Sequence, residues 1–327
     1  MTRQQGGKPS LLVTRRLPGA VEARLASVFD VTLNRDDTAM SPAALAAAMT
    51  RHDALCPTIT DRIDARLLHM PGRTVRVIAN FGAGTEHIDL DAARAAGIVV
   101  TNTPDALTDS TADLAMLLIL MAMRRAGEGE RALRRGDWGG WRPTHMLGQA
   151  LAGKMLGLIG FGRIAQAVAV RARGFGMQVS YYNRSGKVAR AGPADDARHM
   201  PSLAALAEQA DVLSLHVPGG AGTRHLVDAP LLARMKPGAV LINTARGSVV
   251  DEAALAEALR SGRLGSAGLD VYEREPAVSA ALLALENVVL LPHLGSATLE
   301  TRTAMGMQAA TNLEAFFAGV EPPHRLC

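Results

Sequence analysis

Short apolar runs alternate with segments of helical periodicity along the first third of the chain, and this pattern predicts a parallel β-sheet covered by helices. Ser41 followed by Pro42 is typical of a helix N-cap. The predicted strands lie at 11–14, 31–33, 54–59, 75–79 and 98–101. The predicted helices lie at 20–29, 42–49 and 61–68.

The same alternation resumes beyond Lys154 and predicts a second parallel sheet. After an apolar run that ends at Gly160, the predicted strands lie at 178–182, 212–216, 239–243, 265–271 and 288–291. Each ends in polar, Gly or Pro residues, where doubly wound sheets bind their ligands. A chain of 327 residues exceeds what one core usually organises. We therefore predict an α/β protein of two doubly wound domains, with a hinge at 102–105 and a last helix at 299–318 that returns to the first domain.

A long helix is predicted from Thr108, and its residues 112–123 are almost wholly apolar. A helix that is apolar on every face has to be buried on every side, so we predict an interdomain or subunit interface and a homodimer. Residues 131–146 are predicted to form a polar connection that contains Trp138 and Trp141. These indoles either pack within the connection or shape a pocket.

Composition narrows the class of protein. Hydrophobic residues make up 48% of the sequence, and the formal charge of +4 comes from Lys and Arg interleaved with acids, with only 3% aromatic residues. This balance indicates a solvated surface and argues against nucleic-acid binding. Cys56 and Cys327 form no disulfide framework and show no metal-ligand spacing, so no metal is predicted. No stretch is predicted to be a secretory signal or to span a membrane, and the predicted location is cytoplasmic.

A glycine-rich turn interrupts the apolar run at the start of the second sheet. Gly160, Gly162 and Ala165 follow the G-x-G-x-x-A spacing, with an apolar strand before them and a helical pattern after them. In such a turn the glycines let a pyrophosphate approach the backbone, where the helix N-terminus attracts the anion. The turn alone would also suit an ordinary strand-to-helix loop, but its context predicts a dinucleotide site.

The end of the next predicted strand indicates which dinucleotide binds. NAD-selective proteins place an acid there to bind the ribose 2′-hydroxyl. In this chain the position is Asn183, followed by Arg184 and Ser185, with Lys187 close by. A guanidinium in place of an acid favours the 2′-phosphate, so the predicted cofactor is NADPH, with NADH also possible. The alternative is a solvated turn.

Three further strand ends carry a candidate acid-base set. Arg246, Glu275 and His293 each follow a predicted strand of the second sheet, and together they suit hydride transfer to a ketone. Histidine exchanges protons near neutral pH, and a neighbouring carboxylate favours its protonated form. Arginine can hold a substrate carboxylate and polarise the adjacent carbonyl. Singly, each of these residues would also suit a surface or loop position.

These motifs make the sequence resemble the D-2-hydroxyacid dehydrogenase family over essentially its whole length, and most closely its glyoxylate/hydroxypyruvate reductase branch. The resemblance rests on the segments 80–89, 102–113, 243–247 and 270–276, on the Gly160 turn, and on Pro292-His293. It implies a flavodoxin-like substrate domain at 1–104 and 295–327, with a Rossmann NAD(P)-binding domain at 105–294 inserted into it. It also implies a dimer in which the loop around Trp141 reaches the active site of the partner.

The resemblance assigns roles to individual residues. It implies that Arg246, Glu275 and His293 are catalytic and that Asp270 contacts the nicotinamide carboxamide. The predicted substrate residues are Ala83, Gly84, Arg246, His293 and Trp141. The predicted cofactor residues are Thr108, Gly160, Phe161, Gly162, Arg163, Ile164, Asn183, Arg184, Ser185, Val217, Pro218, Thr223, Thr244, Ala245, Arg246, Asp270, His293 and Gly295.

The function predicted from the sequence is NADPH-preferring reduction of glyoxylate or hydroxypyruvate to glycolate or D-glycerate. One alternative is a broader 2-ketoacid or 2-ketogluconate reductase, which differs only in its pocket. The other is a non-catalytic dinucleotide-sensing binding protein of the same fold, since such proteins can keep all three catalytic residues.

Overall fold

The computed structural model describes residues 7–188 and 192–327. These residues divide into two compact units. The first contains the described part of Met1–Leu107 together with Ala297–Cys327, and the second contains the described part of Thr108–Ser296.

The first unit is built on a five-stranded parallel sheet. Its strands are β1 (Ser10–Val13), β2 (Asp30–Leu33), β3 (Ala54–Cys56), β4 (Val77–Ala79) and β5 (Val99–Thr101). Their spatial order is β2-β1-β3-β4-β5, and every pairing is parallel. This is the flavodoxin-like order of a doubly wound sheet. β1, β3 and β4 lie in the interior of the sheet and are almost completely buried, which explains their unbroken apolar sequences.

Helices connect these strands. They are α1 (Gly19–Val28), α2 (Pro42–Met49), α3 (Ala65–Leu68) and α4 (Leu90–Ala95). α2 begins as predicted, because the Ser41 hydroxyl accepts a hydrogen bond from the backbone N–H of Ala44 at 3.2 Å. α4 was not predicted from the sequence; it is a helix of only six residues that is capped by Asp89.

The second unit is built on a seven-stranded parallel sheet. Its strands are β6 (Met155–Ile159), β7 (Gln178–Tyr182), β8 (Arg198–His199), β9 (Val212–Leu215), β10 (Ala239–Asn243), β11 (Leu264–Leu269) and β12 (Val288–Leu290). The spatial order is β12-β11-β10-β9-β6-β7-β8. Counted from its first strand, this is the 3-2-1-4-5-6 order of the Rossmann fold with one strand added. The prediction of two parallel-sheet α/β domains, one of them a Rossmann domain, is confirmed.

The remaining helices complete both units. They are α5 (Thr108–Met123), α6 (Ala126–Arg135), α7 (Arg163–Gly174), α8 (Leu203–Gln209), α9 (Ala229–Arg234), α10 (Glu252–Arg260), α11 (Ala280–Leu283) and α12 (Leu299–Phe317). α12 belongs to the first unit and packs on α1. There a Cβ on Gly306 would lie 2.5 Å from a methyl carbon of Val21, so only glycine permits the close approach. None of these helices combines the length and the continuous apolar character of a bilayer-spanning segment.

The described part of this chain does not by itself bury α5 on every side, and the predicted subunit interface stays a prediction. One face packs closely on the sheet: a Cβ on Gly268 of β11 would lie 2.9 Å from Cβ of Leu118. Leu117, the preceding residue of the helix, is 44% exposed. Part of the apolar surface of this helix is therefore left uncovered by the described part of its own chain.

The polar connection predicted at 131–146 begins within a helix. Residues 131–135 form the last turns of α6, which ends at Gly136 with φ of 79°. The helix has few apolar residues. It is supported instead by Glu128 near its N-terminus, by Arg134 and Arg135 near its C-terminus, and by an ion pair from Arg131 to Glu286 at 2.8 Å.

Candidate active site

The glycine-rich turn joins β6 to α7 in a conformation that requires glycine at its first position. Gly160 has φ of +85°, and a Cβ there would lie 2.6 Å from the carbonyl oxygen of His216. At Gly162, the N-cap of α7, a Cβ would have no heavy atom within 4 Å. The first N–H groups of α7, at Arg163 and Ile164, thus begin beside open space. A phosphate group fits such a position.

The core beneath this turn holds the helix close to the sheet. Phe161 is buried and stacks on Tyr181 with ring centroids 3.8 Å apart. Ala165 is fully buried, and its small side chain allows α7 to approach the strands. The side-chain amide of Gln166 donates to the carbonyl oxygen of Phe161 at 3.0 Å, which fixes the turn from the helix side.

The turn after β7 contains the residues predicted to choose the cofactor. The side-chain amide of Asn183 donates to the hydroxyl of Ser185 at 2.8 Å, and the N–H of Gly186 donates to the Asn183 carbonyl at 2.9 Å. Arg184, Ser185 and Lys187 are exposed. Nη1 of Arg184 lies 3.3 Å from the position that a Cβ on Gly222 would occupy, so the guanidinium extends toward the loop after β9.

The loop after β9 closes over the Gly160 turn. Val217 is near enough that its Cγ1 would lie 2.9 Å from a Cβ on Gly160. The hydroxyl of Thr223 donates to the carbonyl of Pro218 at 2.7 Å and so gives the loop a fixed shape. Burial lowers the pKa of His216 to about 4, which keeps its ring neutral beside the hydroxyl of Ser214, 2.9 Å away.

The loop after β10 carries Arg246 and is shaped by one side chain. Oδ1 of Asn243 accepts the N–H of Ala245 at 3.0 Å, and its Nδ2 donates to the carbonyl of Arg246 at 2.9 Å. Within the described residues, the buried hydroxyl of Thr244 has no hydrogen-bond partner. A Cβ on Gly247 would lie 1.8 Å from the carbonyl carbon of Tyr272. The Arg246 loop is therefore pressed against the loop after β11.

Asp270, at the end of β11, organises the loop that carries His293. Its carboxylate oxygens accept the backbone N–H groups of Leu294 at 2.6 Å and of Gly295 at 2.8 Å. Its own carbonyl accepts the N–H of His293 at 3.0 Å. These bonds hold His293 at φ of 56°, a left-handed conformation that is uncommon for a residue other than glycine. Burial raises the pKa of the Asp270 carboxyl.

His293 and Glu275 form a direct pair. Nδ1 of His293 lies 2.8 Å from Oε2 of Glu275, and Oε1 of Glu275 accepts the N–H of Tyr272 at 3.0 Å. Both side chains are 31% exposed. Burial opposes ionisation of Glu275, but its hydrogen bond with His293 and the charges of His293 and Arg246 hold the pKa of this carboxyl below its usual value. Because a carboxylate only accepts, Nδ1 carries the proton and Nε2 is left for other chemistry.

Two further predicted residues belong to the same unit. Thr108 is the first residue of α5. Trp141 is 82% exposed, so the alternative that its indole packs within the connection is wrong for the described chain.

Ala83 and Gly84 belong to the first unit, in the loop after β4. Asn80 donates to the carbonyls of Gly82 at 3.0 Å and Gly84 at 2.9 Å, and Asn102 donates to that of Ala83 at 2.8 Å. The carbonyls are thereby occupied within the protein, an arrangement that suits a loop whose N–H groups receive an anion.

The residues that shape these loops were not predicted from the sequence. Asn243 and Tyr272 act through backbone contacts, and the hydroxyl of Thr111 donates to the carbonyl of Gly295 at 3.2 Å. The only signal for Asn243 in the sequence is a polar amide that closes a buried strand directly before Thr-Ala-Arg-Gly.

Comparisons with known proteins identify the family of this chain. The family model described as D-isomer specific 2-hydroxyacid dehydrogenase, NAD binding domain, matches residues 116–295. A glyoxylate reductase of Thermococcus litoralis is 42% identical over 97% of this chain and 96% of its own length.

Two crystal structures extend the likeness to the fold. A Thermus thermophilus protein superposes with a TM-score of 0.90 at 44% identity, over 97% of this chain and all of its own. The second is an NADPH-dependent glyoxylate/hydroxypyruvate reductase from Sinorhizobium meliloti in complex with NADP and malonate. It superposes with a TM-score of 0.85 at 37% identity, over 98% of this chain and 97% of its own.

The fold and the site together define an NAD(P)-dependent dehydrogenase. The fold combines a flavodoxin-like unit with a Rossmann unit that contains a dinucleotide turn. The site is the set of Arg, Glu and His at the strand ends of the Rossmann unit. The chain belongs to the D-isomer specific 2-hydroxyacid dehydrogenase family.

Proposed function

We propose that this protein reduces glyoxylate and hydroxypyruvate to glycolate and D-glycerate, with NADPH as the preferred reductant. The observation that carries the proposal is the pair formed by His293 and Glu275 next to Arg246, in the same unit as the Gly160 turn. The names of the Thermococcus litoralis and Sinorhizobium meliloti relatives support the choice of substrates.

The residues at the dinucleotide turn fit a nicotinamide cofactor. The open space at Gly162 leaves room for a phosphate at the N-terminus of α7, and the buried hydroxyl of Thr244 has no partner among the described residues. When bound, the dinucleotide supplies the hydride. The chain residues that would hold it are Thr108, Gly160, Phe161, Gly162, Arg163, Ile164, Asn183, Arg184, Ser185, Val217, Pro218, Thr223, Thr244, Ala245, Arg246, Asp270, His293 and Gly295.

The chain itself supplies the proton and the electrostatic stabilisation. As the carbonyl carbon of the 2-ketoacid gains the hydride, its oxygen gains a proton, which Nε2 of His293 delivers. Glu275 holds Nδ1–H of the ring and stabilises the imidazolium before transfer. Arg246 binds the substrate carboxylate and polarises the carbonyl oxygen as charge develops on it.

Cofactor preference is assigned to the turn after β7. Its three residues, Asn183, Arg184 and Ser185, include no carboxylate to repel a 2′-phosphate. The Arg184 guanidinium and the Ser185 hydroxyl supply donors for it, and Lys187 adds a positive charge. Asn183 can still donate to a ribose hydroxyl, so NADH remains a weaker substrate.

A homodimer is part of the proposal. Large apolar side chains are exposed on the second unit, including Leu117, Trp138, Trp141 and Leu147. Exposed large apolar side chains are enriched at interfaces. We assign a second copy of the chain to cover these side chains, and we assign Trp141 to substrate discrimination.

The test is a steady-state assay with each reduced cofactor. Glyoxylate, hydroxypyruvate, pyruvate and 2-ketogluconate are offered in turn, and oxidation of the cofactor is followed by its absorbance. The proposal expects the highest kcat/KM for glyoxylate or hydroxypyruvate with NADPH. A higher value for 2-ketogluconate would favour the broader reductase. Cofactor binding without turnover of any 2-ketoacid would favour the sensing protein.

A further inference from the structure

A second group of ionisable side chains joins three loops of the Rossmann unit. His225 lies in the loop after β9, Glu252 begins α10 after the Arg246 loop, and Glu273 lies in the loop after β11. Oε1 of Glu252 accepts the backbone N–H of Glu273 at 2.6 Å, and Nε2 of His225 contacts Oε1 of Glu273. Glu273 is thus held through its backbone by one loop and through its side chain by another.

Both holding residues are themselves fixed. The N-cap Asp251 accepts the N–H groups of Ala253 at 3.1 Å and of Ala254 at 3.0 Å, which anchors the start of α10 beside Glu252. His225 has φ of 49°, and its N–H donates to the carbonyl of Ser248 at 2.8 Å. A left-handed histidine persists only where its surroundings hold it in place.

The held segment is the one that presents Glu275. Glu273 lies two residues before Glu275, and Oε1 of Glu275 accepts the N–H of Tyr272. Residues 272–275 therefore form a turn that is held by two hydrogen bonds. The Glu275 carboxylate accepts one from the N–H of Tyr272, and the Glu252 carboxylate accepts the other from the N–H of Glu273. On a third side Gly247 abuts the Tyr272 carbonyl so closely that no side chain fits.

We propose that His225, Glu252 and Glu273 are positioning residues that fix the 272–275 turn, so that the Glu275 carboxylate stays within reach of Nδ1 of His293. This inference rests on the proposed function, in which Glu275 stabilises the proton donor. None of the three contacts the His293 ring in the structure, so their effect passes through Glu275.

Burial and neighbouring negative charges disfavour the ionised form of Glu252. Burial raises the pKa of the Glu252 carboxyl, and the charges of Glu273 and Glu275 act in the same direction. Arg274 partly offsets this effect, and Arg246, His293 and Asp270 are the charged groups around Glu275. The Glu252 carboxylate nevertheless lies near those of Glu273 and Glu275. Such an arrangement is expected where the hydrogen bond from the Glu273 N–H to Glu252 has a role in fixing the turn.

The first experiment compares Glu252→Ala with Glu252→Gln. Alanine removes the acceptor for the Glu273 N–H, whereas glutamine keeps an oxygen there. For alanine we expect kcat to fall roughly 10-fold, a fraction of the ~10²–10⁴-fold contribution of a general acid, with KM nearly unchanged. For glutamine we expect recovery of most of kcat. The control is Glu257→Ala, because Glu257 is exposed on the same helix and pairs with Arg260 three residues along.

The second experiment needs no substrate. Titration of the His293 ring is followed by NMR in the native protein, in Glu275→Gln and in Glu252→Ala, with His293→Asn to assign the signal. We expect Glu252→Ala to move the titration midpoint toward lower pH, in the same direction as Glu275→Gln, and Glu257→Ala to leave it in place. A residue that only stabilises the fold would lower Tm without moving this midpoint.

His225→Asn provides an independent variant, because asparagine tolerates the left-handed φ but is too short to reach Glu273. A downward midpoint shift and lower kcat in this variant support the inference, including where Glu252→Ala fails to fold. Native kcat and an unmoved midpoint in both folded variants overturn it. Absence of 2-ketoacid reduction by the native protein would refute the proposed function instead, while the titration would still decide the positioning role.

Discussion

Nδ1 of His293 lies 2.8 Å from Oε2 of Glu275, although 18 residues separate them in the sequence. The contact exists because β11 and β12 are parallel neighbours whose carboxyl ends meet at one edge of the sheet. The Glu275 carboxylate therefore sets the orientation of the ring, and the first predictions concern this pair.

Replacing either His293 or Arg246 should remove most of the activity. Asparagine is the suitable replacement for His293, because it tolerates the left-handed φ. We expect kcat/KM for glyoxylate to fall ~10²–10⁴-fold in His293→Asn, because proton delivery is lost. In Arg246→Ala we expect a comparable fall, because the carbonyl is no longer polarised. Circular dichroism should show native folding, and full activity in either folded variant would refute the mechanism.

Glu275→Gln should change the pH dependence of reduction. The reaction needs a protonated imidazole, so kcat/KM falls as pH rises through the titration of the proton donor. The Glu275 carboxylate favours that protonated form, and glutamine removes its charge. The fall in kcat/KM is therefore expected at lower pH in the variant than in the native protein. A pH profile identical to the native one would show that another group controls the proton donor.

The same substitution should have a stability effect that depends on pH. The pKa of Glu275 is held below its usual value of 4.5, so the folded state favours the carboxylate. The stabilisation is thus fully present above pH 4.5 and is lost as pH falls through the lower folded-state value. We expect Tm of Glu275→Gln to lie below native Tm at neutral pH and to approach it in acid. A constant difference in Tm across this range would contradict the assignment.

The double variant Asn183→Asp/Arg184→Ala should reverse the cofactor preference. The aspartate can bind a ribose 2′-hydroxyl and repels a 2′-phosphate, and alanine removes the guanidinium. We expect the ratio of kcat/KM with NADPH to kcat/KM with NADH to drop at least roughly 10-fold, the equivalent of about 1.4 kcal/mol. Lys187→Ala is the matched control for a nearby charge and should change the ratio less. A native protein that already favours NADH would refute the assignment.

Trp141→Ala should alter discrimination among small 2-ketoacids. The indole is 82% exposed within its own chain, so its removal should leave the packing of that chain unchanged. We expect the kcat/KM ratio of glyoxylate to hydroxypyruvate to change while the Kd for NADPH does not. Trp138→Ala, which changes the other exposed indole of the same segment, is the control. An equal effect of Trp141→Ala on every substrate would contradict a role in discrimination.

Much of the fold could be predicted because buried parallel strands are short and continuously apolar. The predicted strands at 178–182 and 239–243 have the bounds of β7 and β10 in the structure. α6 and α4 were missed, since the first has few apolar residues and the second is only six residues long. β8 has just two residues, too few for any periodicity.

For the site, the sequence indicated the ionisable residues better than it indicated the contacts that position them. Arg246, Glu275 and His293 were identifiable because ionisable side chains follow apolar strands. The roles of Asn243 and Glu252 were not, because each binds backbone atoms of a loop that only the folded chain brings near. Gly247 similarly resembles any glycine until the Tyr272 carbonyl is found against it.

The turn after β7 is exposed at Arg184 and Ser185 and is closed by hydrogen bonds among its own residues. Substitutions there disturb neither the packed core nor the loop that presents His293. Under the cofactor assignment proposed for this turn, one or two surface substitutions suffice to change the coenzyme pool from which the protein draws electrons, while the residues at the other strand ends stay as they are.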